Sequence, residues 1–220
     1  MTTVFSPQST LDALTFYADL AAAAKHAVFM TFAFGMNAVF DEAFTHGPSG
    51  IRYALFEKLL GPGVRKEKRP AEEARMLAMR KMAVNRFAVG NHIRRQDLGG
   101  WFAEKLTGLN THVEYVHTKF MLIDPLGESP IVVTGSANFS AASTNKNDEN
   151  MLIIRGNKRV ADIYLGEFMR LWEHNAFRDW IGSRPADAAL EPWYLDDTDT
   201  WWQRYFGKSG YSRHREYFTS

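Results

Sequence analysis

The 220-residue chain contains no cysteine. That excludes disulfides and thiolate zinc sites, and it leaves the compartment open, because a secreted protein can do without disulfides. An excess of one charge is also missing. Against 25 Asp and Glu stand 26 Lys and Arg, a formal net charge of +1, so bulk electrostatics demands neither a polyanion nor an anionic membrane. No apolar run approaches bilayer length; the most apolar stretch, Ala27 to Phe34, is only strand-sized. Met1 to Thr10 has no basic segment followed by an apolar one, so no signal peptide is read there and a soluble, cytoplasmic chain is the default expectation. Internal repeats and low-complexity segments are absent.

What is present is ordinary globular composition, 45% hydrophobic and 23% charged, at a length that fills one domain. Basic residues cluster at Arg65, Lys66, Lys68 and Arg69 and again at Arg75, Arg80, Lys81 and Arg86, a pattern that usually marks solvated faces. Val4 to Pro7 reads as a short strand. Ser9 is placed to cap an amphipathic helix through Leu11, Leu14, Tyr17 and Ala21. Ala27–Phe34 reads as a strand buried on both faces, and Ile51–Phe56 reads as another strand. A helix is expected over 71–85 with Pro70 in its first turn, then a strand near Phe87–Val89 and a helix over 100–106. Strands are expected over 112–123, 131–134 and 151–155, and a helix over 157–174. The remainder, rich in Trp193, Tyr194, Trp201, Trp202, Tyr205 and Phe206, reads as an irregular tail packed on the body. The domain reading is therefore 1–175 for the body and 176–220 for the tail. Strands alternating with helices predict an α/β sandwich, a central mixed sheet flanked by helices.

One segment carries chemistry: Tyr115-Val-His117-Thr-Lys119-Phe-Met-Leu-Ile-Asp124, then Thr134-Gly-Ser136-Ala-Asn138, then Asn147-Asp-Glu149. On a strand His117 and Lys119 share a face, which is costly on apolar backbone unless an anion compensates. The small residues of Gly135-Ser136-Ala-Asn138 allow close backbone approach, with Ser136 and Asn138 as donors. An imidazole, an ammonium and an amide donor together suit a phosphorus oxyanion.

These residues, in this order, resemble the HKD signature of the phospholipase D superfamily, and the likeness is to the C-terminal half of bacterial two-motif members. The spacing departs at one place: ten residues separate Asp124 from Gly135, more than the usual pattern, which implies a longer turn over 125–130. The resemblance implies a metal-independent phosphodiesterase, without cofactor, working through a phosphohistidine. His117 would be nucleophile or general acid, and Lys119, Ser136 and Asn138 would bind phosphate oxygens. Glu149 would orient the histidine, while Asp124 and Gly135 would be structural. The complete site would need a second such motif, from a homodimer partner or from another half. The aromatic tail favours a phospholipid substrate, and the basic run leaves a nuclease as the alternative. A silent half-site used for scaffolding is the third reading; it fits poorly with the retention of both His117 and Lys119.

Overall fold

A continuous apolar run requires burial on both faces, and the one beginning at Ala27 becomes an interior strand of the sheet. In the computed structural model, which describes residues 1–94, 103–105, 114–184 and 197–219, the first strand is β1 (Thr2–Ser6). β2 (Ala27–Phe32) and β3 (Ile51–Phe56) lie parallel, and every residue of both is buried. β4 (Asn85–Val89), β5 (Phe120–Ile123), β6 (Ile131–Gly135) and β7 (Glu149–Arg155) complete a seven-stranded sheet of order β1-β7-β6-β5-β2-β3-β4. β2, β3 and β4 are mutually parallel and all other neighbours are antiparallel, so the sheet is mixed as the alternation predicts.

The two-residue strand period divides the core. Val28, Met30 and Phe32, with Ala54, Phe56, Met121 and Ile153, pack under α1 (Asp12–Ala22), α2 (Asp41–Thr45) and α3 (Arg69–Arg80). Phe29, with Tyr53, Leu55, Leu122 and Val132, packs on the other side. There it meets α5 (Lys158–Gly182) and α6 (Gly210–Thr219), while α4 (Ala141–Asn145) is a short turn of helix beside β1. Each such side chain contributes about 1.5–3 kcal/mol on burial. Register is fixed by two stacked aromatic pairs, Phe29 on Tyr53 at 5.0 Å and Phe32 on Phe56 at 5.1 Å, each of them also a partner pair in the β2–β3 ladder. A one-residue slip would turn both rings to the wrong face.

Several local expectations need correction. Ser9 does not cap α1: the cap is Leu11, without a side-chain bond. α3 ends at Arg80, because Asn85 is drawn into β4 and its amide donates to the carbonyls of Phe44 and Met79. The helix expected over 100–106 falls mostly outside the described residues, and its described positions, 103–105, are not helical. α5 runs past 174 to Gly182, held by the Arg80–Asp179 ion pair at 2.6 Å, and it therefore crosses the boundary expected at 175. The tail is not irregular throughout. A 3-10 turn at Trp201–Tyr205 leads into α6, whose Tyr217 and Phe218 pack on the sheet, whereas Trp201, Trp202 and Phe206 are about half exposed. Trp193 and Tyr194 lie outside the described residues. Among the described residues no helix is long and apolar enough to cross a membrane.

Topology gathers the chemistry. The C-terminal ends of β2, β3, β4 and β6 and the N-terminal ends of β5 and β7 all open on one end of the sheet.

Candidate active site

β5 pairs with β2 at Ile123, Leu122 and Met121, and there the ladder stops. The Thr31 hydroxyl takes over, donating to the Thr118 carbonyl at 2.8 Å and accepting from the Phe120 amide at 3.1 Å. Upstream, the buried Glu57 carboxylate accepts from the amides of Glu114, Tyr115 and Val116 at 2.7, 2.9 and 2.6 Å. Side chains thus satisfy amides that strand neighbours would otherwise take. This explains a correction to the strand expected over 112–123. Its described part is strand only from Phe120, and His117 and Lys119 sit on an extended segment leaving the sheet; residues 112–113 are outside the described residues.

His117 is exposed, with the Phe34 ring 6.1 Å away, edge to face. Partial burial, then the Lys119 charge, hold its imidazole below the ordinary value of 6.5, and Glu57 acts in the opposite direction. The neutral form, which has a lone pair to donate, is favoured. The Lys119 ammonium donates to the His117 carbonyl at 2.6 Å, so it is anchored beside the imidazole. Burial lowers its pKa, opposed by Glu149.

Gly135 ends β6 opposite Met151, where a β-carbon would collide with the Asn150 carbonyl oxygen and the Met151 backbone. Only glycine fits that approach. The next residue is stitched to β7: the Ser136 amide donates to the Asn150 carbonyl at 2.9 Å, and the Asn150 amide donates to the Ser136 hydroxyl at 3.0 Å. Ser136 is therefore engaged in fixing the turn. Asn138 is held by its backbone, its amide donating to the Ser143 hydroxyl at 3.2 Å, while its side-chain oxygen is buried without a partner among the described residues. An unpartnered buried amide oxygen marks a group not committed to the fold. Glu149 accepts from the Asn147 amide group at 3.3 Å and its charge acts on Lys119; among the described residues it makes no hydrogen bond to the His117 ring.

Asp124 is elsewhere. It caps the opposite end of the sheet, its carboxylate accepting from the amides of Lys25, His26 and Ala27 at 2.9, 2.7 and 2.8 Å. Its φ of 47° is left-handed, a conformation that aspartate tolerates better than most residues.

His117, Lys119 and Gly135 line one cleft of about 490 Å³, closed on its far side by Tyr164 and Glu167 of α5. Ser136, Asn138 and Glu149 do not line that cleft. The periodicity that places Tyr164 in a core stripe misses this role: its hydroxyl donates to Thr134 at 3.1 Å on the cleft wall. Glu57 and Thr31 were also missed. The only trace of Glu57 in the sequence is a charge ending an apolar run, and nothing local names amides nearly sixty positions away as its partners. Among the described residues no three His, Asp or Glu side chains converge as a metal-ligand set.

Comparison with known proteins adds independent findings. The family profile described as "Cardiolipin synthase, PLD-like domain" matches residues 73–172, a span that holds the whole run from His117 to Glu149. "Mitochondrial cardiolipin hydrolase" of Mus musculus and of Canis lupus familiaris are each 36% identical over 59 residues, 27% of this chain. The alignment spans 24% and 21% of those two proteins, about a quarter of their length or less. In fold, the chain is similar to the phospholipase D family member Nuc from Salmonella typhimurium (TM-score 0.51, 16% identity, 78% of this chain and 93% of that one). It is likewise similar to NucT from Helicobacter pylori (TM-score 0.53, 13% identity, 78% and 94%). Signature, profile and fold point the same way: residues 73–172 match the profile of a PLD-like domain, and the fold is similar to that of a phospholipase D family member.

Proposed function

We propose that the chain is a phosphodiesterase in which His117 attacks phosphorus. The observation that supports this most is the pairing of a neutral-leaning imidazole with an ammonium held on that histidine's own carbonyl. In this reading a ring nitrogen of His117 forms a bond to phosphorus as the ester bond to the leaving oxygen breaks. The leaving oxygen takes its proton from a second histidine. Water then cleaves the nitrogen–phosphorus bond and restores His117. Lys119 and the Asn138 amide hold the non-bridging oxygens, where charge accumulates. Glu149 acts on this array through Lys119, or on the ring once substrate draws the groups together. The second histidine comes from a second signature motif, supplied by another copy of the chain or by another half.

A phospholipid substrate is the favoured reading, because the matching profile and the curated relatives are both named for cardiolipin. The nuclease reading draws on the exposed cations Arg65, Lys66, Lys68 and Arg69. The deciding experiment incubates the purified chain with bis-p-nitrophenyl phosphate in excess EDTA and quenches it rapidly. Turnover should persist, and an acid-labile, base-stable phosphoryl group should appear on His117. Activity that vanishes in EDTA and returns with a divalent ion would overturn the histidine mechanism.

A further inference from the structure

Beside the catalytic turn lies a second groove, of about 570 Å³. It adjoins the site: Phe34, whose ring lies 6.1 Å from that of His117, lines it, and so do Phe139 and Ser140, which directly follow Asn138. Its opposite wall is the 59–68 segment. The two walls cross where Gly35, at φ 79°, meets Gly61: a β-carbon on Gly35 would strike the Gly61 backbone, and one on Gly61 would strike the Phe34 carbonyl oxygen. Both glycines are required for the close approach that shapes the groove.

The charges in the lining are unbalanced. Its one carboxylate, Glu72, is occupied by Arg75, which also holds Asp41 and the Met36 carbonyl. The other charged side chains in the lining are Arg65 and Lys68, both exposed, and neither has a carboxylate partner among the described residues. The groove therefore presents two uncompensated cations a short way from the turn carrying Asn138. A guanidinium and an ammonium on a polar groove wall suit a phosphate, the first as a fork and the second as a point charge.

We propose that this groove is a subsite for a second phosphate on the same substrate molecule, held by Arg65 and Lys68 while the scissile phosphate sits at His117. The inference rests on the phosphodiesterase reading and refines it. The substrate class is a molecule with two phosphate groups joined by a short linker, a description that fits a diphosphatidyl lipid and a nucleotide chain alike. The basic cluster, which the catalytic signature leaves unexplained, acquires a role in selectivity.

The test compares substrates differing by one phosphate. In one arm cardiolipin is set against phosphatidylglycerol in mixed micelles. In the other, p-nitrophenyl thymidine 3′,5′-diphosphate is set against p-nitrophenyl thymidine 5′-phosphate. In whichever arm the wild type turns over, its kcat/KM should favour the two-phosphate member. The double variant Arg65→Gln/Lys68→Gln should reduce that preference about tenfold, as expected for two exposed charge-assisted contacts. Removing two cations at the other end of the sheet, with Lys25→Gln/Lys158→Gln, should leave the preference intact. Calorimetric binding of thymidine 3′,5′-bisphosphate against thymidine 5′-monophosphate gives the same comparison without turnover. A preference unchanged within twofold in the groove variant, or equally reduced in the control, overturns the subsite. Failure to cleave bis-p-nitrophenyl phosphate overturns the phosphodiesterase reading instead.

Discussion

Glu57 and Asp124 each gather three consecutive backbone amides, Glu57 those of residues 114–116 and Asp124 those of residues 25–27. They do so at opposite ends of the sheet. Asp124 sits in a tight turn far from the cleft, whereas Glu57 is buried beneath the segment that presents His117 and its charge is felt by the imidazole. The residue inside the recognisable signature is the remote one, and the residue outside it stands next to the chemistry. Membership of a motif and proximity to a reaction are thus separate properties, and only the fold distinguishes them.

That contrast presupposes that the reaction occurs at the Glu57 end. His117→Ala should lower turnover by about 10³-fold or more with an unchanged thermal midpoint. If two chains share a site, mixtures of this variant with wild type should lose activity as the square of the wild-type fraction. A linear loss, with subunit exchange verified, would show that one chain suffices.

A paired comparison comes next in size. Glu57→Gln and Asp124→Asn each replace a charged acceptor of three amides, and urea unfolding should show about 2–4 kcal/mol lost in both. At a temperature where both variants remain folded, only Glu57→Gln should lower kcat/KM further, by about tenfold or more, because a shifted His117 loses its alignment. Equal activity losses would erase the distinction between the two ends.

The smallest effect is the most specific. Attack needs neutral His117, whose pKa is depressed, so kcat/KM should fall only as pH drops below the ordinary histidine value of 6.5. Glu57 opposes that depression. Glu57→Gln should therefore move the acid limb to still lower pH, and Asp124→Asn should leave it in place. A limb moving upward in Glu57→Gln would contradict the assigned charge effect.

Much of the fold was legible because burial writes itself into composition. β2 is apolar but for Thr31, so its doubly covered position could be read directly, whereas β3 is equally buried although it carries Arg52, whose guanidinium is held by the Ser49 hydroxyl and the Gly47 carbonyl. α6 was missed because Gly210-Tyr-Ser-Arg-His-Arg-Glu-Tyr-Phe-Thr219 is mostly polar; it is held by Tyr217 and Phe218 on one face and by Ser212, which is fully buried. The residues of the site were legible as a signature, but their geometry was not. Whether His117 lies on a strand depends on Thr31, which engages a carbonyl and an amide 87 and 89 positions away, and on Glu57, which intercepts amides 57 to 59 positions away. The gathering of Arg65 and Lys68 beside Ser140 depends in the same way on a crossing of two glycines distant in sequence.

The longer turn between β5 and β6 has a practical consequence. Pro125 and Pro130 at its base are buried, while the Glu128 side chain is 93% exposed, on the end of the sheet away from His117. Its ion pair with Lys158, at 2.8 Å on the surface, contributes little. In a chain without cysteine, Glu128→Cys would introduce a single thiol. A fluorophore, spin label or surface tether placed there would address the molecule at one known point and leave the His117 end facing solution.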